Sequence, residues 1–503
     1  MKEYDVIVVG AGGSGLAAAY SAAEHGGRVL VLEKQPQPGG TTGIAVGSFT
    51  AAGTSLQQQA AVEDDSASHV EDVAKFAPPE IEERNHQDLR RFFLAEAADT
   101  FEWIQELGLA FVGPSPEPPN RSPRMHNVVP NAKAYIAALQ LALTRAGGTL
   151  VCSAAVESLL KTDGRVVGVR ASVQGKPQEY WATRGVILAA GDYANNPRTI
   201  AEHKGDQYLQ IEGINQFAHG DGHRLVNSVG AALLNMDVTY GPELRFVPSS
   251  KKPFQQWLPA SGPLAKAMGF IAPRLPAWVI RAMIKRLLVT WQHPENKIFT
   301  AGAILLNRAG RRFVCETAFP DREVGVAAQA EKIAFILLDD RLVQHFSAWP
   351  NFVSTAPDIA YAYVKDYQRL RSDITTTGMS LRDVALRRGL DPTAVQESVT
   401  EFNEYVNGKR KDRFARSGDQ HRLENGPWVM MGPVKAYFTT TEGGAAVTQR
   451  LEVLDTKGQV IPGLYAVGQN GLGGMILWSH GLHIAWAMTS GRLAGRNVMK
   501  ADI

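Results

Sequence analysis

The sequence predicts an α/β fold in which both ends of the chain build one parallel sheet, with an α+β unit inserted between them. Three observations carry that expectation. Residues 5–15 read Asp-Val-Ile-Val-Val-Gly-Ala-Gly-Gly-Ser-Gly, an apolar strand that enters Gly10-x-Gly12-x-x-Gly15. Near the far end, Gly463-Leu-Tyr-Ala-Val-Gly468 is a second apolar strand, running into Gly471, Gly473 and Gly474. Between them, from Tyr240 to about residue 300, the texture turns rich in proline and tryptophan with little strand-like alternation. The expected divisions are 1–240, 241–430 for the insert, and 431–503.

The first motif has a physical task for each part. Gly10 makes the tight turn, Gly12 lets backbone approach a pyrophosphate, and Gly15 lets a helix pack on the strand. The alanine-rich Leu16–Ala23 continues as a helix whose N-terminus offers free N–H groups and a positive dipole end to phosphate. Val29–Leu32 is the next strand, and Glu33 at its end stands where an acid can hold ribose hydroxyls. A lone glycine triplet is a weak signal. Strand, triplet, helix, strand and acid in register make a Rossmann-like dinucleotide unit. The turn Pro36-Gln-Pro-Gly-Gly-Thr-Thr-Gly43 can bring backbone donors and two threonines against phosphate or a ring edge, or serve as a plain connection.

The remaining elements follow in order. Residues 86–107 carry Leu89, Phe92, Phe93, Phe101, Trp103, Ile104 and Leu107 at helical spacing, a core stripe. Ser115–Pro130 holds five prolines and reads as an irregular loop; its Arg124 and His126 either close a site or decorate the surface. A helix is expected over 131–146, then a hairpin with Gly148–Cys152 and Val166–Arg170 flanking Asp163-Gly164. Gly185–Gly191 is a buried strand ending in small residues, and His219-Gly-Asp-Gly222 opens a helix to about Leu234. A strand pair is expected at Ala301–Asn307 and Arg312–Cys315, with helices at 321–334, 356–372, 380–388 and 392–407. Val453–Val460 forms a hairpin around Lys457-Gly458, and the last helix spans about Ile484–Val498. Within the insert, residues 276–291 place Arg281, Lys285 and Arg286 on one helical face. Such a helix lies on a membrane surface or lines a domain or subunit contact.

Composition narrows the function classes. The chain has 503 residues, 45% hydrophobic and 20% charged, which suits two or three soluble domains. A net charge of +2 makes no case for a nucleic-acid partner. Cys152 and Cys315 are the two cysteines, without a CxxC or histidine-rich setting, so neither a disulfide framework nor a metal site is expected, and a reducing cytoplasm fits. A first strand beginning at residue 5 argues against a leader, and no run of 18 uncharged apolar residues suggests a membrane span.

Two glycine-rich strand-to-helix junctions more than 450 residues apart suit a long ligand held by two helix N-termini, namely FAD, with its ring system toward Gly468–Gly474. The motifs VVGAGGSG, GGTT, VILAAG, HGDG, LLNRAGRRFVCE, TTTEGG and IPGLYAVGQ resemble the flavoprotein family of soluble fumarate reductases and 3-ketosteroid Δ1-dehydrogenases. The resemblance covers most of 4–235 and 300–500. It implies an FAD domain from both chain ends, an inserted capping domain, and transfer of two hydrogens across a C–C bond beside a carbonyl or carboxylate. It also places Gly10, Gly12, Gly13, Ser14, Gly15, Glu33, Lys34, Gly40, Thr41, Thr42, Val156, Ala190, Gly191, Asp221, Gly468 and Gly474 at FAD. Thr42-Gly43-Ile44 stands where some relatives carry an attachment histidine, so non-covalent FAD is expected.

The chain also departs from these relatives. The fumarate reductase element His-Thr-Met-Gly-Gly corresponds to Thr440-Thr441-Glu442-Gly443-Gly444, without histidine. The family's arginine aligns with Pro320, Arg322 lying two residues on, and Tyr240-Gly241-Pro242 replaces a Gln-x-His-Pro segment. Losing such partners costs roughly 1.5–3 kcal/mol each in anion binding. A bulky, weakly charged carbonyl substrate is therefore expected, and an apolar cyclic ketone or acid fits the insert. The ketosteroid enzymes' Tyr-Pro-Gly loop is replaced by Gly473–His483.

Desaturation beside a carbonyl needs a base for the α-proton, donors for the enolate, and flavin N5 to accept the β-hydride. His480 is the first candidate base because it follows the glycine cluster; Tyr240 and Tyr437 are the others. Backbone N–H groups at Gly474 and Gly481 are candidate enolate donors. The leading expectation is an FAD-dependent dehydrogenase. The alternatives are an enoate reductase running the reverse reaction, an FAD-dependent oxidase, and a flavoprotein retained as a binding subunit. The electron acceptor and oligomeric state stay open.

Overall fold

The computed structural model describes residues 2–249, 258–260, 262–356, 359–418 and 420–501. Its first sheet contains β1 (Lys2–Val9), β2 (Val29–Leu32), β3 (Thr149–Val151), β4 (Ala154–Thr162), β5 (Arg165–Val173) and β6 (Lys176–Leu188), together with β13 (Glu452–Leu454) and β14 (Val460–Ala466) from the other end of the chain. The spatial order is β13-β14-β6-β1-β2-β3. From β14 to β3 every neighbouring pair is parallel, as strands buried on both faces require. β4 and β5 form an antiparallel meander joined to β6. The expected α/β, Rossmann-like sheet built from both chain ends is present.

Register sets the working edge of this sheet. Val9 lies opposite Leu188, and Leu188 opposite Ala466, so the C-terminal ends of β1, β6 and β14 are level. Three glycine-rich loops leave from that line, the position where open α/β sheets bind ligands. The helices α1 (Gly13–Glu24), α2 (Gln87–Glu106) and α3 (Lys133–Arg145) flank the sheet, and α6 (Leu482–Lys500) packs along α1. A Cβ on Gly491 would stand 2.4 Å from the Ser14 carbonyl oxygen, and one on Gly495 only 2.3 Å from that of Ala18. Small residues on both helices thus bring the two chain ends into backbone contact.

The second sheet contains β7 (Glu212–Gly213), β8 (Glu243–Phe246), β9 (Ile304–Leu306), β10 (Ala334–Leu338), β11 (Thr375–Gly378) and β12 (Trp428–Phe438). Its path is β7-β12-β10-β9, with β8 and β11 also paired to β12. It carries its own core, including Phe246, Phe299, Phe335, Tyr367 and Phe402. β12 runs across the expected 430/431 division. Two further helices follow in the insert: α4 (Gly262–Ile271) packs against residues 110–115 and 125–129, and α5 (Ala277–Trp291) packs beside β8 of this sheet.

Several element expectations are corrected. The hairpin around Asp163-Gly164 pairs β4 with β5, and 148–152 contributes the separate parallel strand β3. The helix after Gly220 ends at Asn227. Residues 312–315 form no strand: β9 pairs with β10, and the Arg312 side chain turns to Glu316 and Asp412. The 321–334 helix stops at Ala327, because Ala334–Leu338 is a wholly buried strand. The helix of 356–372 covers only Val364–Leu370, and residues 357–358 lie outside those described.

Candidate active site

The glycine loops meet at the crest of the first sheet. Gly10 has φ of +103°, and a Cβ there would stand 2.5 Å from the Ala189 carbonyl oxygen, so only glycine turns the chain here. A Cβ on Gly15 would fall 1.9 Å from the Gly10 oxygen, which explains the close seating of α1 on β1. The second loop crosses above the first: Gly39 N–H donates to the Ala11 carbonyl at 3.0 Å, and Gly12 and Gly39 form a β-bridge. Gly12, Gly13 and Ser14 at the start of α1, with Gly40, Thr41 and Thr42, line one cavity. Asn215 fixes the Thr41 hydroxyl by donating to it at 2.9 Å.

Glu33 is buried and fixed by two backbone donors, Ala11 N–H at 2.7 Å and Gln35 N–H at 2.8 Å. Lys34 donates to Asp221 at 2.7 Å, tying β2 to the helix that starts after Gly220. Val156, Ala190, Gly191 and Gly468 also line the cavity. Gly468 sits against Ser14, where a Cβ would come within 2.7 Å of the Ser14 hydroxyl. The backbone cradle at Gly12, the free end of α1, the acid on β2 and the loop from the far chain end fit a dinucleotide lying across the sheet crest. The residues therefore fit FAD.

Two expected cofactor or donor positions are not at the cavity. Gly474 does not line it; its carbonyl accepts from His86 N–H at 3.0 Å and Asn235 Nδ2 at 2.9 Å. Gly481 does line it, at the N-cap of α6 with φ of +85°. Gly15 acts in packing alone.

The cavity is large, about 1970 Å³, and continues from the sheet crest to α4 and α5. Drug-sized sites are usually ~300–1,000 Å³, so there is room for a dinucleotide and a second molecule. Met268, Ile271, Leu275, Met283, Ile284 and Leu287 make its far wall apolar. Where the wall meets the α6 N-terminus, His480 projects into the cavity beside Tyr240 and Trp478. Tyr240 meets Trp478 edge to face at 5.9 Å.

His480 is held by a residue that the sequence did not single out. Buried Glu117, from the proline-rich loop, lies 2.6 Å from His480 Nδ1 and accepts the His480 N–H at 2.8 Å; its other oxygen accepts the Ser479 hydroxyl at 2.8 Å. His480 Nε2 has no hydrogen-bond partner among the described residues. Desolvation opposes the imidazolium, but the Glu117 hydrogen bond and charge, helped by Glu243, outweigh it and raise the His480 pKa above its ordinary value. Burial pushes the Tyr240 hydroxyl well up.

Other charges at this end are also balanced. Arg245 pairs with Glu243 at 2.9 Å. Burial works against the Glu243 carboxylate, but Arg245 and His293 hold its pKa below the usual value. Burial lowers His293, with Glu243 opposing. His483 meets buried Glu442 at 2.9 Å, so the TTTEGG acid anchors an imidazole on the cavity wall. Buried Asp192 has its pKa raised by desolvation despite accepting from Ala194 N–H and the Thr440 hydroxyl.

Other sequence candidates stand elsewhere. Tyr437 lies on β12 between Glu212 and Glu243 and does not line the cavity; burial pushes its hydroxyl up to about 12. Arg124 is neither on the surface nor at the site: it is buried between Asp64 and Asp72. His126 is likewise buried, 3.0 Å from the Thr54 hydroxyl. Arg322 is spent on Glu323, Asn296 and the Glu316 carbonyl.

A dinucleotide crest, a roomy second compartment and an imidazole at their junction define a flavoprotein oxidoreductase with a substrate chamber. The chain belongs to the FAD-binding domain family, whose model matches residues 5–250 and 272–480. It is 26% identical to the fumarate reductase (cytochrome) of Shewanella frigidimarina, over 99% of this chain and 77% of that protein. With the vinyl phenol reductase of Lactiplantibacillus plantarum it shares 27% identity, over 98% and 96%. Its fold matches the crystal structure of 3-ketosteroid Δ1-dehydrogenase from Sterolibacterium denitrificans in complex with 1,4-androstadiene-3,17-dione, with a TM-score of 0.64, 18% identity, and coverage of 99% and 100%. The chain is an FAD-dependent oxidoreductase acting on CH–CH groups.

Proposed function

We propose that this enzyme reduces a carbon–carbon double bond conjugated to a carbonyl in a bulky, weakly charged compound, with His480 delivering the proton. The observation that carries this reading is the Glu117–His480 pair at 2.6 Å on the wall of an apolar chamber. Bound FAD supplies hydride chemistry. The protein's residues do the rest. Glu117 fixes the imidazole through Nδ1, which leaves Nε2 to pass a proton to the α-carbon. The positive end of α6, reached through Gly481, is placed to stabilise negative charge developing on the carbonyl oxygen.

The dehydrogenase expected from the sequence is this reaction reversed, with neutral His480 as base. Two features support the reductive direction: an imidazole biased toward its charged form, and similarity to two named reductases. Balanced charge at the substrate end supports a neutral or weakly charged ligand, because both Arg245 and His480 already face carboxylates. Gly43, Ile44, Ala45 and Val46 line the cavity without a nucleophilic side chain, which supports non-covalent FAD. The unit around the second sheet serves as the cap.

The test is anaerobic stopped-flow absorbance. Dithionite-reduced enzyme is mixed with cyclic enones, unsaturated carboxylates and fumarate, and flavin reoxidation is followed. Neutral enones should reoxidise it fastest, with fumarate inert. His480→Ala should keep its flavin and slow reoxidation at least about 100-fold. Near-normal rates would remove His480 from the proton-transfer role. Faster bleaching of oxidised enzyme by saturated ketones would instead assign the dehydrogenase direction.

A further inference from the structure

We propose that the consecutive helices α4 and α5 dock this protein on an anionic lipid surface, onto which the substrate chamber opens. Three large apolar side chains of these helices face outward, Leu264 (60% exposed), Phe270 (65%) and Trp278 (72%), and Ile271 (52%) is exposed at the cavity rim. On α4, positions 263, 264, 267, 270 and 271 are exposed, a single stripe at helical spacing. On α5, Trp278, Arg281, Ala282 and Arg286 share the outward face. Lys285 departs from the expected basic face, turning inward to Asp366 at 3.1 Å. An exposed apolar cluster of this kind marks an interaction surface.

Charge selects the occupant. No Asp or Glu stands between Glu243 and Glu295, whereas eight lysines and arginines do. Arg274, Arg281 and Arg286 are exposed around the apolar stripe, and Arg274 lies over the Phe270 ring at 3.8 Å. Apolar side chains bordered by unopposed arginines match the boundary between acyl chains and anionic headgroups. Among the described residues no helix is long and apolar enough to cross a membrane, so α4 and α5 lie in the interface.

Other residues of the same two helices form the chamber wall. Ile271 and Met283 are exposed and also line the cavity, so the cavity reaches the surface at these two helices. An apolar ligand dissolved in lipid would enter without crossing water. The family match omits 251–271, so α4 lies outside the shared pattern. Lipid docking requires no turnover, and its test is independent of the proposed reaction.

The full-length, FAD-loaded protein is sedimented with phosphatidylcholine vesicles, with and without phosphatidylglycerol, at about 0.1 M and about 1 M salt. It should pellet with the anionic vesicles and release at high salt. Each arginine near the surface contributes about five-fold, so Arg281→Glu/Arg286→Glu should lower partitioning at least ~25-fold. Trp278→Asp should weaken binding while an unchanged flavin spectrum reports an intact fold. Failure to pellet with anionic vesicles, or equal binding by these variants, would overturn the proposal. So would a dimer in light scattering that Trp278→Asp splits, because a second copy would then cover the face.

Discussion

At the residue scale, the site turns on Glu117, which is invisible in a local reading. His480 stood out because it follows a glycine cluster, but its partner is 363 residues away in the chain. Tyr437 was misplaced for a related reason. It belongs to a strand paired on both edges, and sequence alone could not say which face the cavity takes. The Glu117 carboxylate raises the His480 pKa, so imidazolium persists to higher pH than in a free histidine. A proton donor then loses activity as pH rises through that raised value. Glu117→Gln should move the falling limb of reductive kcat/KM to lower pH, because burial then acts on the imidazolium without the carboxylate that outweighs it. Its overall loss should be smaller than that of His480→Ala. An unshifted pH profile would show that Glu117 serves structure alone.

At the element scale, legibility followed length and punctuation. The Rossmann unit, α2 and the last helix were readable because glycines and long apolar stripes mark them. The strand Ala334–Leu338 has no sequence signature of its own, and the expected 321–334 helix runs into its first residue, since a short buried apolar segment has no period to separate strand from helix. The union of the chain ends was anticipated from paired glycine junctions, but its mechanism lies in α6. Gly495 allows that helix to rest on Ala18, and any side chain there meets backbone that cannot rotate away. Gly495→Val should destabilise the FAD domain by about 1–3 kcal/mol, the usual scale of overpacking. It should also loosen FAD, because Ser14 and Gly468 separate when the helices part. A denaturant midpoint and a flavin-release titration on the same variant check both effects. Retained stability would mean that α6 is not held at the close distance described.

At the scale of the whole molecule, two cores share one cavity, and charge balance across it governs both ligand choice and stability. A chamber whose cations already face carboxylates attracts a neutral ligand through apolar contact, which salt barely screens. The KM for a neutral enone should therefore stay nearly constant as ionic strength rises, whereas a site with free cations would weaken for a carboxylate. FAD has a larger thermodynamic role than any one side chain, because residues 9–10, 12–14, 32–48, 154–157, 189–192, 215–219, 221, 224–225 and 468–469 line its cavity. A ligand that binds only this assembled arrangement stabilises it by about 2.7 kcal/mol at 100 times its Kd. At roughly 2–4 °C per kcal/mol for a domain of this size, the FAD domain should melt about 5–10 °C higher with FAD than without. The second sheet keeps its own core and touches the nucleotide end little, so a separate cap transition should move less. Calorimetry of apo and FAD-loaded protein distinguishes the cases: an unchanged first transition would mean that FAD does not join the two chain ends.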